Sequence, residues 1–346
     1  MKAKHINLIL LFLTVFTAAN MAFAGQLPDP SADSLFLYNH PFTLRISYSF
    51  DAFNKNSKEN TYTPANISYY LPDSTFIEKS VKIRPRGHER RDMCQHPPLK
   101  IDFSDSLYGI NLFDKWKKMK LVSLCMPAKS WEQYIIKEYL IYQAYKILTD
   151  TSFNTYLVNV TFQDTDSDKN YEGPGFFIED IDHVAKRLNG KEIETQGLRN
   201  TALDTSTFDM MALFQYMIGN TDWGLPNLHN LKLIDINDST KTKPIAVPYD
   251  FDYCGLVNAV YAVPQEGFPI MSIRERYFMG ICRTSKYYMP LVKRFLDKKD
   301  EIYSLFTNCN NLNDYTKKDA INYLDNFYKI IENTKIVGKY IYGNCN

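Results

Sequence analysis

Residues 219–255 read GNTDWGLPNLHNLKLIDINDSTKTKPIAVPYDFDYCG. The segment opens with a loop carrying Asp222, Asn227, His229 and Asn230. An apolar run at 231–236, a polar turn at 237–240 and a second apolar run at 245–248 follow, and the segment closes on Tyr249-Asp250-Phe251-Asp252. Two short apolar runs joined by a polar turn predict a β-hairpin. The start of its first strand then faces the end of its second, so Asn230 and Asp250 become neighbours, with Asp222 on the loop that enters them. An Asn and a carboxylate held together, with a second carboxylate nearby, suit a hard divalent cation that shares phosphate oxygens. A loop Asp toward the nucleophile, an Asn on metal and a following Asp on metal are also the working parts of kinases.

The run GNTDW…HN followed by PYDFD resembles the spore-coat kinase family CotH, whose members carry a GN-x-D…N loop and a PWDFD-like strand end. More distantly it is similar to HipA-like and phosphoinositide-kinase-like atypical kinases. The resemblance implies an α+β, two-lobed protein-kinase-like fold with a β-rich N-lobe and a mostly helical C-lobe. It also implies ATP with Mg²⁺ or Mn²⁺ as cofactors. Asp250 and Asn230 would hold the metal, with Asn227 as the alternative Asn, and Asp222 would orient or deprotonate the acceptor hydroxyl. The extra Gly224-Leu225-Pro226 departs from the family loop and leaves the choice between Asn227 and Asn230 open.

Upstream, Arg84-Pro85-Arg86-Gly87-His88-Glu89-Arg90-Arg91 is a basic loop. Arginine forks suit phosphate oxygens, and the chain has neither G-x-G-x-x-G nor a Walker loop. The loop resembles the RGN-type segment of the same family, which marks Arg86 for phosphate charge. Leu99, Ile101 and Phe103 alternate, so Lys100 projects from the opposite face of that strand. Residues 131–148 are apolar on nearly every side, as in a buried helix, and Ser130 with Gln133 forms a capping box before them. Glu138 sits among the aromatic residues of that helix and needs a cationic partner. Lys100 is the first candidate, with Lys120 as the second, which would reproduce the kinase Lys–Glu pair. Glu179 closes the run Gly173-Pro174-Gly175-Phe176-Phe177-Ile178, and the resemblance places it on a lobe linker facing the adenine.

Alternation predicts further strands at 42–50, 67–71, 76–84, 118–125 and 156–162. Residues 54–64 and 191–206 read as polar loop. Helices are expected at 183–188, 208–218, 272–282, 289–306 and 317–336, with Gly219 stopping the second of them. A boundary near Asp182 would separate an N-lobe of 42–182 from a C-lobe of 183–346.

The chain has 346 residues, 45% hydrophobic and 23% charged, with a formal charge of +1. That describes a globular protein and argues against bulk electrostatic binding of nucleic acid. Lys2 and Lys4, the apolar run at 6–19 and Ala22-Phe23-Ala24 read as a secretory signal cut near Ala24, followed by a leader at 25–41. No later segment has the apolar length of a membrane span. Six cysteines in an exported chain favour disulfides, and neighbour pairing gives Cys94–Cys125, Cys254–Cys282 and Cys309–Cys345. The functional expectation is an exported phosphotransferase acting on a protein or small-molecule hydroxyl. Alternatives are AMP transfer at the same site, a catalytically silent kinase-fold binding module, and a carboxylate-based glycosidase using Asp222 and Asp250.

Overall fold

The computed structural model describes residues 35–36, 42–87, 89–104, 112–114, 116–237 and 242–342. The signal segment, nearly all of the leader, most of the hairpin turn and Cys345 lie outside the described residues.

Seven strands form a closed barrel: β1 (Thr43–Tyr48), β2 (Thr63–Tyr70), β3 (Phe76–Pro85), β4 (Leu99–Asp102), β5 (Lys118–Val122), β6 (Thr155–Asp164) and β7 (Asn170–Ile178). Their order around the barrel is β1-β2-β3-β4-β5-β7-β6. All neighbours are antiparallel except the closing pair β1 and β6, where Leu44 faces Val160 and Tyr48 faces Asp164. The period-2 pattern works as the sequence implies. Leu44, Ile46, Ile67, Ile83, Ile101 and Leu121 point inward and are fully buried.

This closed mixed barrel with helices replaces the expected two-lobed kinase fold with a helical C-lobe. Helix α3 gives the physical reason. The chain first forms α1 (Phe50–Lys58) and the short α2 (Glu89–Met93), then α3 (Lys129–Leu148). An all-round apolar helix must be covered on every side. Residues on α3 such as Ile136, Ile141 and Tyr145 share one core with Phe176 of β7 and with Phe214, Phe306 and Phe327 from later in the chain. That core joins the barrel flank to the C-terminal helices. The α3 N-cap is Ala128 without a side-chain hydrogen bond, so the Ser130–Gln133 capping box is not formed. Residues 54–64 also depart from expectation. Ser49 caps α1 by accepting from Ala52 N, and a mostly polar helix buries Phe53 alone.

After α4 (Ile181–Arg187), a second sheet of order β10-β9-β8 is built from β8 (Gly190–Ile193), β9 (Leu231–Ile236) and β10 (Ile245–Pro248). The hairpin is therefore present, with Leu231 opposite Pro248. The stretch read as polar loop supplies its third strand, pairing Ile193 with Leu233. Helix α5 (Thr205–Ile218) is buried along almost its whole length and leads into the hairpin loop. Gly219 ends it in the left-handed region, φ 66°, and a Cβ there would stand 1.9 Å from Tyr323 Oη. Glycine is required at this position on both counts.

The remaining helices are α6 (Ser285–Asp297), α7 (Lys299–Thr307), α8 (Asp314–Ile331) and α9 (Thr334–Val337). The single helix expected over 289–306 is thus two, and the one expected over 272–282 is absent. There Arg276 donates to the carbonyls of Met217 and Tyr323, and Arg274 pairs with Asp319. These bonds hold an irregular path across the end of α5. Among the described residues no helix is long and apolar enough to cross a membrane.

Cys94–Cys125 is a disulfide. The other two expected pairs fall, because Cys254 is a buried free thiol and Cys309 is free. Cys282 is disulfide-bonded.

Beside the disulfide, His96 is 5% exposed and lies among rings. It stacks on Phe162 at 5.1 Å and touches Tyr171 and Phe50. Burial pushes its pKa down from 6.5 to about 4. The unfolded chain therefore binds the proton more readily. Stability from this residue is full above pH 6.5 and is lost as pH falls toward 4. The loss is about 3 kcal/mol, at 1.36 kcal/mol per pKa unit. Urea melts from pH 7.5 to 4 should show this acid limb, and His96→Phe should flatten it.

Candidate active site

The hairpin end and α3 build the site together. After β10, Tyr249 N donates to Asn230 O at 3.1 Å, which continues the ladder by one step and sets Asn230 opposite Tyr249, the residue before Asp250. Asp250 adopts φ 61° and Asn230 φ 52°, a left-handed conformation that Asp and Asn tolerate best among residues with a side chain. Phe251 is fully buried against Tyr142 and Phe214, with ring centroids 4.7 and 5.8 Å away. It anchors a carboxylate on either side of it. Glu138 and Tyr142 are one turn apart on α3, so they share a face. Tyr142 Oη accepts from Asp250 N at 2.8 Å.

Three carboxylates meet here. Glu138, Asp250 and Asp252 each offer an oxygen within 4.8 Å of the others. Glu138 and Asp252 are 1% and 5% exposed, whereas the Asp250 side chain keeps 27% exposure. Arg90 from α2 reaches all three: Nη1 to Glu138 Oε2 at 3.3 Å, Nη2 to Asp250 Oδ1 at 2.8 Å and Nε to Asp252 Oδ2 at 3.2 Å. Tyr261 Oη donates to Asp252 Oδ2 at 2.9 Å. One guanidinium cannot neutralise three carboxylates, and the proton affinities record the excess. Burial pushes Glu138 up to about 8, against the pull of Arg90. Burial likewise lifts Asp252 to about 6, with Arg90 opposing and Asp250 adding to it. For Asp250 burial also works upward, but Arg90 and Arg86 outweigh it and hold the carboxyl below its ordinary value.

The expected Lys–Glu pair is corrected by this geometry. Glu138 pairs with Arg90, not with Lys100 or Lys120. Lys100 instead stands on the outer face of the barrel between Arg84 and Lys120, its register partners on β3 and β5. Burial lowers its pKa, and Arg84 and Lys118 lower it further. Lys120 is lowered to about 8 by burial and then by Arg86, Lys232 and Lys100. Arg86 and Lys120 thus give a cationic flank: Arg86 acts on Asp250, and Lys120 Nζ stands 5.6 Å from the ring centroid of Tyr249, while Lys232 is paired to Glu192 at 2.6 Å. Glu179 is held in a structural ion pair. It is fully buried, and its carboxylate accepts from Asn154 N at 2.9 Å and from Arg187 Nη2 at 3.1 Å. That clamps β6 and β7 to α4.

The hairpin loop supplies a second group. His229 Nε2 is 2.7 Å from Asp222 Oδ1. Asn230 Nδ2 donates to Asp222 Oδ2 at 2.9 Å and to its carbonyl at 2.7 Å. The Asn230 amide nitrogen is thereby committed to Asp222. Asn227 is exposed and accepts from His229 N at 3.3 Å, a contact internal to the loop. Asp222 is near enough to the carboxylates to add to the upward shift of Asp252.

Sequence reasoning passed over Arg90, Asp252 and His229. The first lay in the basic loop but looked interchangeable with its neighbours. The second was visible in the Asp-Phe-Asp triplet, whose apolar centre, the fully buried Phe251, fixes the carboxylate before it and the one after it.

A group of oxygen donors with excess negative charge suits a hard divalent cation. Glu138 Oε1 supports the fit independently, since it is buried with no hydrogen-bond partner among the described residues. No model of a known protein family matches this chain, and no curated protein does.

Proposed function

We propose that this chain is a metal-dependent phosphotransferase, moving a phosphoryl group from ATP to a hydroxyl on a protein or small molecule. One observation carries the reading: a carboxylate cluster with an unpartnered buried oxygen has Arg86 acting on its Asp250 and Lys120 over the ring of the preceding Tyr249. Carboxylates alone would suit many reactions. Carboxylates beside cations suit a polyanion that arrives with its own divalent ion. The proposed kinship to the spore-coat kinase family rests on the same residues, Asp222, Asn230, Asp250 and Asp252, and not on the fold.

In this reading Glu138, Asp250 and Asp252 hold Mg²⁺ or Mn²⁺, which would neutralise charge on the transferring phosphate. Arg86 and Lys120 bind and orient the phosphate chain. Arg90 fixes the spacing of the three carboxylates. Asp222 and His229, half-exposed and exposed respectively, stand on the acceptor side. AMP transfer by the same residues is separated by label: γ-label on the product means phosphoryl transfer, and α-label means nucleotidyl transfer.

The test is thermal stability of the full chain with ATP and Mg²⁺ or Mn²⁺, beside Asp250→Ala. At a hundredfold excess over Kd, binding should add about 2.7 kcal/mol. The gain should need both metal and ATP, and the variant should lose it. Folded wild-type protein that gains nothing would sink the reading and favour a binding module without catalysis.

A further inference from the structure

We propose that His229, rather than Asp222, takes the proton from the attacking hydroxyl. The inference rests on the phosphotransferase reading and assigns the acceptor side of that site. Its basis is the partnering of the ring. A carboxylate at 2.7 Å from Nε2 accepts the Nε2–H, so the neutral ring presents its lone pair at Nδ1. That nitrogen has no partner among the described residues, and the side chain is 45% exposed. Asp222, by contrast, is fully engaged. One oxygen holds the His229 ring, the other accepts from Asn230 Nδ2, and its N–H donates to Asn220 Oδ1. A carboxylate tied in this way orients and supports a base better than it acts as one.

The backbone is shaped for the same purpose. Gly224 and His229 exchange both main-chain hydrogen bonds, at 3.0 and 2.8 Å, which closes a tight loop. Leu228 and Asn230, on either side of His229, both have positive φ, 54° and 52°. For Leu this conformation is costly, and such strain persists where the surroundings over-determine it. Here it turns His229 onto Asp222 at the edge of the carboxylate cluster.

The step balances. The acceptor O–H gives its proton to Nδ1, and its oxygen pair forms the new bond to the γ-phosphorus. The bond from that phosphorus to the bridging oxygen breaks, and its pair leaves on ADP. The imidazolium, steadied by Asp222, returns its proton to solvent. Asp222 is then a positioning residue.

The experiment uses the full chain, γ-labelled ATP, Mn²⁺ and water as the acceptor. His229→Ala should fold, because the Gly224–His229 pair that closes the loop is main-chain. It should bind ATP with metal as the wild type does, lose about a hundredfold in kcat, within the span of general-base catalysis, and regain part of that with added imidazole. Asp222→Asn should leave a slower enzyme with an altered pH–rate profile. Wild-type turnover in His229→Ala, or a loss that imidazole does not repair, overturns the assignment and returns the role to Asp222. A wild type that binds metal and ATP without turnover also overturns it. Absence of metal-dependent ATP binding in the wild type is a separate readout, and it removes the reading beneath.

Discussion

Arg90→Ala should lose about 3–5 kcal/mol of folding stability at neutral pH, the range for leaving a buried charge without its partner. The side chain is 8% exposed and bonds three carboxylates, two of them nearly inaccessible to water. Without the guanidinium, Glu138, Asp250 and Asp252 repel one another, the already raised pKa values of Glu138 and Asp252 rise further, and Asp250 loses the main charge that holds its own down. The sign of the pH dependence follows. Carboxyls whose folded pKa lies above the unfolded value contribute stability at low pH and lose it as pH rises through the folded value. Arg90→Ala should therefore be least impaired near pH 5 and most impaired near pH 8. Millimolar Mg²⁺ or Mn²⁺ should restore part of the loss, because a divalent cation can replace the missing charge among the same oxygens. Arg90→Lys should recover little, since a point ammonium cannot address three carboxylates through separate N–H groups. Denaturant unfolding at pH 5 and pH 8, with and without metal, checks all of this. A variant as stable as the wild type at both pH values would show that the cluster does not depend on Arg90.

Replacing Cys94 and Cys125 by Ala should cost about 3–4 kcal/mol in urea unfolding, from the chain entropy of the loop the disulfide closes. The sequence separation is 31 residues, a long stretch for a crosslink to restrain. Cys94 directly follows α2, which carries Arg90, and Cys125 lies three residues beyond the end of β5, which carries Lys120. The crosslink therefore ties the guanidinium to the barrel. The two losses should not add: Arg90→Ala should cost less in the disulfide-free chain than in the oxidised one, because residues in one network couple. Full additivity would mean that the disulfide stabilises the fold without holding the site.

Much of the site was legible because it is local. The hairpin, the junction of Asn230 with the Tyr249–Asp250 end and the stop at Gly219 all arise from residues close in sequence, where period and turn chemistry decide. Long-range choices were not legible. The partner of Glu138 had to be a cation, and the sequence says so, but nothing in a strand's alternation distinguishes Lys100 from an arginine on a five-residue helix. The apolar girth of α3 showed that it is buried, not that one side meets β7 and the other the C-terminal helices. A two-lobed division looked natural because strands precede helices in the chain. Closure of β1 on β6 has no signature in either strand, since a half-buried strand reads the same whichever neighbour it takes. Residues 272–282 failed as a helix for a similar reason. Their apolar spacing is real, but Arg274 and Arg276 find better partners on α8 and at the end of α5.

The pairing of β1 with β6 has a consequence for how the molecule is made. The barrel's first strand meets its parallel partner across more than a hundred residues, with α3 in between. Loop-closure entropy must be overcome before that pairing brings any gain, and such distant contacts slow folding. During synthesis β1 through β5 can form a curved ribbon with an unsatisfied edge long before β6 emerges. An open, apolar strand edge invites pairing with other chains. The nascent protein should therefore be most prone to aggregate while synthesis stands between Val122 and Asn170, and least so once Ile178 has cleared the ribosome, because β7 must seat between β5 and β6 to close the barrel.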